Sequence, residues 1–352
     1  MFFSTGLSGS DLPPRTVCLT FDDGPGRDSL ELASWLHRRG VQATFFVVGK
    51  YAVANKDALR QMADMGHLIA NHTFTHRSLS LCYATLAAKE ILDTDTAIAD
   101  LIPAPFALFR PPYLDWSPGV AGMLNWSSAC KCTGPVMTDI DGRDWQFWRD
   151  GSDAASCAAA YIQLIGQIGR GIIIMHDSSI DDVIRRNSQT LSMAQHVVVW
   201  LQEHGYRMVR LDAIPQIRDA AKVSSVIALQ AANGCFLSPQ QGGGGEVRAD
   251  CSWVGPWEPL GVIELGDNKI ALRCLSGHYL SAPQGGGGKI LASGPAIGAS
   301  EVLTREDLGN GAIALRCANG NYVSLQRGGG GEILANGSAI GAPEVFRALQ
   351  PA

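Results

Sequence analysis

The strongest constraint on the fold of this chain is an internal repeat in its last third. Runs of four glycines begin at Gly242, Gly285 and Gly328, so the repeat has a period of 43 residues. Each copy combines short apolar runs with turn residues and shows no helical pattern. Three such copies can close on one another and leave few exposed strand edges. The repeat therefore predicts an all-β domain over 226–352, for which we expect a β-trefoil.

The chain before the repeat alternates strand and helix patterns. Repeated βα units indicate a parallel barrel or a doubly wound sheet. A length of 352 residues fits two domains, and we place the first at 1–216 and a linker at 217–225. The predicted strands are 17–21, 41–48, 68–70, 106–109, 171–175 and 206–211, and the predicted helices are 29–39, 56–65, 84–101, 156–168 and 190–204.

The bulk composition excludes two classes of partner. The net charge is -5 and the sequence has no basic stripe, which argues against nucleic-acid binding. No apolar stretch approaches the roughly 20 residues that span a bilayer.

The first residues lack a signal-peptide pattern, which leaves a cytoplasmic protein or a secreted one without its presequence. Nine cysteines is an odd number, so at least one is unpaired, and we expect most to be buried reduced thiols.

Polar residues follow several of the predicted strands. In a parallel barrel the carboxyl ends of the strands share one face, and that face carries the active site. We therefore expect these distant segments to converge in one cleft. The residues concerned are Asp22, Asp23, His72, Arg110, Asp144 and His176.

Two of these segments together predict a metal site. Asp22 and Asp23 are adjacent carboxylates, which repel each other unless a positive charge lies nearby. His72 and His76 are four residues apart, and on a helical turn they would face the same ion. Three protein ligands leave one position open for water, as in catalytic metal sites.

Five segments, in this order, resemble the motifs of the polysaccharide deacetylase family (carbohydrate esterase family 4) over about 14–212. The resemblance implies a distorted (β/α) barrel and a divalent metal, most often zinc, with cobalt or another divalent ion as alternatives. It implies removal of acetyl groups from chitin, peptidoglycan, xylan or related glycans. The segments are Thr20-Phe21-Asp22-Asp23-Gly24-Pro25, His72-Thr73-Phe74-Thr75-His76, Arg110-Pro111-Pro112-Tyr113, Asp141-Gly142-Arg143-Asp144-Trp145 and Ile174-Met175-His176.

The resemblance also implies a role for each motif residue. Asp23, His72 and His76 bind the metal, and Asp22 is the general base toward the attacking water. The metal and the Tyr113 backbone N–H stabilise the tetrahedral oxyanion.

The remaining motif residues would complete the reaction and the pocket. By the same resemblance, His176 protonates the leaving amine, Arg110 pairs with Asp22, and Asp144 holds His176 protonated. The residues implied in substrate binding are Trp145, Ile174 and Pro112.

The repeats resemble the fascin-like β-trefoil family over about 226–349. Glu258, Glu301 and Glu344 recur at the period, and we interpret them as structural. Trp253 and Trp257 occur in the first repeat alone, and exposed aromatic rings can stack on sugars. We therefore expect this domain to bind carbohydrate, with a protein partner as the alternative.

Together the patterns predict a metal-dependent glycan de-N-acetylase with a targeting module. One alternative is a C–N hydrolase of small cyclic amides or imides on the same scaffold. Another is a glycan-binding protein whose barrel has lost activity, against which the intact motifs argue.

Overall fold

The computed structural model describes residues 1–127, 131–326 and 331–351. Cys130 and the glycines at 328–330 lie outside the described residues. The chain forms two compact units, which we call the α/β unit and the β unit. The α/β unit comprises Gly6–Asp115 and Cys132–Asp219, and the β unit comprises Met1–Thr5, Trp116–Lys131 and Ala220–Ala352.

The α/β unit contains a parallel sheet with helices between its strands. Strand β1 (Phe2–Leu7) and helix α10 (Pro215–Ala221) are each shared between the two units in sequence. The other strands are β2 (Thr16–Gly24), β3 (Thr44–Val47), β4 (Leu68–Asn71), β5 (Gly134–Val136), β6 (Ile140–Asp141), β7 (Arg170–His176) and β8 (Arg207–Met208). The helices are α1 (Ser29–Arg38), α2 (Gly49–Ala54), α3 (Lys56–Asp64), α4 (Ala84–Ile98), α6 (Asp144–Arg149), α7 (Ala154–Ile168), α8 (Asp182–Asn187) and α9 (Thr190–Glu203).

The sheet brings the carboxyl ends of its strands to one edge. Its order is β4-β3-β2-β7-β6, with β8 paired to the start of β2, and its strand pairs are parallel. All residues of β2 are buried, as expected for a parallel strand covered on both faces. Asp22 at the end of β2 lies opposite His176 at the end of β7. The predicted parallel α/β architecture is therefore confirmed, in the form of a distorted barrel.

Several local predictions differ from the structure. The segment 106–109 contributes isolated parallel bridges and no continuous strand: Phe109 pairs with Asn71, and Leu108 pairs with Thr133. The last predicted strand is reduced to β8. Helices α2, α6 and α8 were not predicted, since six residues are too few to show a helical period.

Apart from helix α5 (Pro118–Asn125), the end of α10 and three short 3-10 turns, the described part of the β unit consists of strands and loops. Six of its strands pair in a closed ring, in the order β9-β12-β13-β16-β17-β20, with β20 returning to β9. Three hairpins, β10–β11, β14–β15 and β18–β19, complete it. Its strands are β9 (Ser225–Gln230), β10 (Phe236–Pro239), β11 (Val247–Cys251), β12 (Leu260–Gly266), β13 (Lys269–Arg273), β14 (Tyr279–Ser281), β15 (Leu291–Gly294), β16 (Leu303–Gly309), β17 (Ala312–Arg316), β18 (Tyr322–Leu325), β19 (Ile333–Gly337) and β20 (Phe346–Leu349).

Residues far from the repeats belong to the same unit. The Asn125 side chain bonds both backbone groups of Phe2, at 2.7 and 2.8 Å. A Cβ atom at Gly122 would lie 2.3 Å from Pro256, so α5 packs closely on the first repeat. The segment 217–225, predicted as a linker, is occupied by α10 and the first residue of β9, and its residue Ile217 is fully buried.

Eight cysteines lie among the described residues, and none of them forms a disulfide there. No helix of the described chain is both long and apolar enough to cross a bilayer.

Candidate active site

A pocket of about 780 Å³ opens at the carboxyl edge of the sheet. It brings together most of the residues that the motifs predicted. Arg110 and Asp144 lie behind its wall as fully buried partners, and Pro112 is buried in the turn before Tyr113 without lining the pocket. The predicted residues that line it are Asp22, Asp23, His72, His76, Tyr113, Trp145, Ile174 and His176.

Asp23, His72 and His76 form a compact cluster of potential metal ligands. One atom from each lies within 4.8 Å of the other two, and all three residues are buried. Asp23 Oδ1 lies 2.9 Å from His76 Nε2 and 3.4 Å from His72 Nε2. Burial alone would raise the pKa of Asp23, but the two imidazoles outweigh it and hold that pKa well below its usual range.

The protonation pattern of the cluster fits a bound cation. His72 Nδ1 lies 2.8 Å from the Arg110 carbonyl, which can only accept, so Nδ1 carries the hydrogen. The other ring nitrogen, Nε2, faces Asp23 and is the atom that would offer its lone pair to a cation. Asp23 Oδ1 is buried and has no hydrogen bond of good geometry within the described chain. Two imidazole nitrogens and a carboxylate are a donor set that suits zinc, with one position left for water.

His72 and His76 are brought close together by a loop and not by a helix. His72 and His76 follow β4 in a non-helical segment, so the helical geometry expected from their spacing is wrong. Their rings nevertheless lie 5.0 Å apart, because Thr73 and His76 adopt left-handed φ values of 65° and 61°. Glu90 of α4 holds the loop by accepting from the N–H and hydroxyl of Thr75, both at 2.7 Å.

Asp22 is paired with Arg110 on one oxygen and open on the other. Arg110 Nη1 donates to Asp22 Oδ1 at 2.7 Å and to the Thr20 hydroxyl at 2.8 Å. The rest of the guanidinium donates to the carbonyls of Val136 and Met137. This buried cation is therefore held by several acceptors, and Asp22 Oδ2 is left facing His72 Nε2 at 3.8 Å.

Asp144 holds His176 at two points. Its Oδ1 lies 2.7 Å from His176 Nδ1, and its Oδ2 accepts from the His176 backbone N–H at 2.7 Å. Burial alone would lower the pKa of His176, but the Asp144 carboxylate raises it to about 10. The imidazole is therefore a cation near neutral pH, with its Nε2–H directed away from Asp144.

Left-handed backbone is concentrated around this site. Non-glycine residues rarely adopt positive φ, and such strain clusters at functional sites. Tyr113 has φ 60°, and no acceptor among the described residues bonds its N–H. Apart from Arg15, the described non-glycine residues of the α/β unit with positive φ all lie in segments that carry the site: Asp23, Thr73, His76, Tyr113, Leu114 and Arg143.

The structure adds residues that the sequence did not single out. Arg143 belongs to a motif, but nothing in its type indicated a role. Asp177 is a further buried carboxylate beside the site, and burial raises its pKa to about 7 although the Ser29 hydroxyl donates to it. The further lining residues are Leu114, Asp141, Arg143, Gln146, Arg149, Ser179, Ile180, Asp181 and Ile184.

Comparisons with known proteins show which family this chain is similar to. The family model for polysaccharide deacetylase matches residues 9–125. A chitooligosaccharide deacetylase of Rhizobium leguminosarum bv. trifolii is 32% identical over 216 residues, which are 59% of this chain and 94% of that protein. The peptidoglycan-N-acetylglucosamine deacetylase PgdA of Listeria monocytogenes is 25% identical over 202 residues, 57% of this chain and 39% of that protein. The Bc1960 peptidoglycan N-acetylglucosamine deacetylase shares the fold, with 23% identity, a TM-score of 0.50, and coverage of 60% of this chain and 92% of that one.

The chain belongs to the polysaccharide deacetylase family. It is an enzyme, a hydrolase that acts on carbon–nitrogen bonds other than peptide bonds.

Proposed function

We propose that the α/β unit removes acetyl groups from N-acetylglucosamine-containing glycans, of the chitin or the peptidoglycan type, and that it depends on a divalent metal. The observation that carries this proposal is the convergence of three groups in one pocket. These are the Asp23–His72–His76 cluster, Asp22 with Arg110, and His176 with Asp144. The names of the related chitooligosaccharide and peptidoglycan deacetylases support the substrate class.

Asp23, His72 and His76 would hold the metal. When bound, a divalent ion polarises the acetyl carbonyl and makes water a stronger nucleophile at neutral pH. Zinc is our choice, and cobalt or another divalent ion is the alternative.

Asp22 and Tyr113 would assist the attack of water on the acetyl carbonyl. Arg110 occupies Asp22 Oδ1, so Asp22 Oδ2 is the atom that accepts the proton of the water. The free N–H of Tyr113 would donate to the oxyanion that forms on the carbonyl.

His176 would complete the hydrolysis. An amine leaves poorly as an anion, so its nitrogen must be protonated as the C–N bond breaks. The imidazolium fixed by Asp144 supplies that proton from Nε2, and the products are acetate and a free amine. Trp145 and Ile174 would line the space for the acetyl methyl group, and Pro112 would position Tyr113.

For the β unit we propose a fascin-like β-trefoil over 226–352 that binds carbohydrate, with a protein partner as the alternative. Its closed six-strand ring and three hairpins support the trefoil. The Trp253 side chain is 62% exposed, which leaves its ring available to stack on a sugar.

The deciding experiment measures acetate release from tetra-N-acetylchitotetraose and from purified peptidoglycan. It is run before chelation, after chelation and after zinc or cobalt is added back. We expect activity that chelation abolishes and metal restores. Activity confined to small cyclic amides would contradict the substrate class. Glycan binding without acetate release, in a metal-loaded protein that Asp22→Asn does not alter, would favour a binding protein.

A further inference from the structure

Arg143 places a positive charge on the pocket wall that no described side chain neutralises. The residue is exposed, lines the pocket and forms no ion pair within the described chain. Asp141, two residues earlier, accepts from the backbone N–H of Arg143 at 2.8 Å and not from its guanidinium. A guanidinium is permanently charged and presents several donors in one plane.

The other arginine of the wall differs in this respect. Arg149 lies 3.6 Å from Asp181 and stacks over the Trp145 ring at 5.1 Å. Asp181 also accepts from the N–H groups of Val183 and Ile184 at the start of α8. Arg149 therefore has partners inside the protein, whereas the charge of Arg143 is available to a ligand.

The backbone conformation at position 143 is one that arginine adopts only at an energetic cost. Its φ is 54° and its ψ 47°, in the left-handed region. Glycine, or a short polar residue such as asparagine, adopts this conformation at a lower energetic cost than a residue with a longer side chain does. At Asp23, His76 and Tyr113 similar strain accompanies a ligand or an N–H donor. An arginine at a position that suits glycine indicates that its side chain has a use.

The residues on either side of Arg143 fix the backbone position from which the Arg143 side chain extends. A Cβ atom at Gly142 would lie 2.5 Å from the Tyr161 ring, so the backbone before Arg143 packs directly against α7. The next residue, Asp144, is bonded twice to His176. Arg143 is thus held between two anchored residues, and the second of them, Asp144, bonds His176, the group that would donate the proton.

We infer that Arg143 determines specificity by binding a carboxylate of the glycan, so that the preferred substrate carries an acidic sugar beside the acetamido sugar that is hydrolysed. The inference rests on the proposed function and adds the charge of the substrate to it. Guanidinium–carboxylate hydrogen bonds can be bidentate, and a charged hydrogen bond contributes about 1.5–3 kcal/mol. This corresponds to roughly a 10- to 100-fold preference.

The test compares two tetrasaccharides with the full-length protein. One is tetra-N-acetylchitotetraose, and the other has the same backbone with a 3-O-lactyl carboxylate on every second sugar. For Arg143→Gln we expect the kcat/KM ratio, acidic over neutral, to fall about 10- to 100-fold, and the loss to shrink at high salt. Arg143→Gly should lose the same selectivity without a lower Tm, because glycine relieves the strain. Arg207→Gln, an exposed arginine away from the pocket, should leave both rates unchanged.

A binding measurement separates this inference from the proposed function. Calorimetric titration of Asp22→Asn protein and of Asp22→Asn/Arg143→Gln protein with the acidic probe needs no turnover. Weaker binding of the acidic probe by the double variant supports the inference even if the wild-type protein releases no acetate. That absence of acetate release would overturn the proposed function alone. Equal binding of the acidic and neutral probes, or an unchanged kcat/KM ratio in Arg143→Gln, overturns the inference while acetate release still supports the deacetylase.

Discussion

The repeats of the β unit and the candidate metal cluster of the α/β unit surround their buried carboxylates in opposite ways. In the β unit, Glu301 accepts from the Ser281 hydroxyl at 2.7 Å and from the Gly298 N–H at 3.0 Å. Glu344 repeats both bonds with Ser324 and Gly341 at the same distances. In the α/β unit, Asp23 Oδ1 is buried without a hydrogen bond of good geometry inside the described chain.

The difference has a physical cause. A buried polar group without a partner costs about 1–3 kcal/mol, so a fold keeps one only where another interaction offsets that cost. Glu301 and Glu344 accept hydrogen bonds from groups of their own repeats, and these bonds stabilise the fold. Asp23 Oδ1 has no such hydrogen bond within the described chain and lies beside two imidazoles, an arrangement that suits a bound cation. The buried glutamates of the repeats thus have a structural use, whereas for Asp23 in the α/β unit we propose a chemical one.

The largest expected effect is that of Asp22→Asn on catalysis. The amide cannot accept the proton of the attacking water, so we expect kcat to fall about 10²- to 10⁴-fold. Because Asp22 is not a proposed ligand, metal content measured by mass spectrometry should stay the same. A matched His76→Ala variant should lose metal as well as activity. Full activity of Asp22→Asn would remove the assignment of the base.

Asp144→Asn tests the charge of the proton donor. The folded pKa of His176 is raised to about 10, so the alkaline limb of the pH–rate profile should fall near that pH. With the carboxylate gone, the limb should move to lower pH and kcat should fall, by about 10²-fold or more.

The same pair makes a prediction about stability. The raised pKa of His176 means that the pair's contribution is fully present below about pH 6.5 and is lost as pH rises through about 10. The Tm difference between wild type and Asp144→Asn should therefore shrink in alkaline buffer. A constant difference from pH 6 to pH 10 would contradict the ion pair.

Glu301→Gln should weaken the fold without touching catalysis. Glutamine has a single acceptor oxygen, so it cannot accept from both the Ser281 hydroxyl and the Gly298 N–H, and one of these two hydrogens loses its acceptor. We expect a loss of about 1–3 kcal/mol in the free energy of unfolding. A double-mutant cycle with Ser281→Ala would isolate the hydroxyl bond. A large fall in kcat of Glu301→Gln on a soluble oligosaccharide would contradict a purely structural use of this carboxylate.

Trp253→Ala should have the smallest effect on the fold. The ring is 62% exposed, so the free energy of unfolding should change by about 0.5 kcal/mol or less. If the β unit binds carbohydrate through this ring, sedimentation with insoluble chitin should retain less of the variant. Leu308→Ala, at a side chain 43% exposed in the same unit, serves as the control. Equal retention of wild type and both variants would point to a protein partner.

The sequence alone indicated the two-part architecture and the motif residues that we propose for the site. A 43-residue period predicts an all-β unit, because each copy must bury its apolar face against the next. Alternating strand and helix patterns predict parallel strands whose carboxyl ends meet. Asp22 and His176, which are 154 positions apart, could therefore be assigned to one cleft before their register was known.

Only the tertiary structure decided how those residues are used. It placed helix α5 in the β unit, where Gly122 packs against Pro256 of the first repeat. It brought His72 and His76 together through left-handed loop residues, and it left the charge of Arg143 unpaired. Local patterns specify which face of an element is buried and where a strand ends. Hydrogen-bond partners, tautomers and strained loop angles depend on side chains distant in sequence, which no local pattern records.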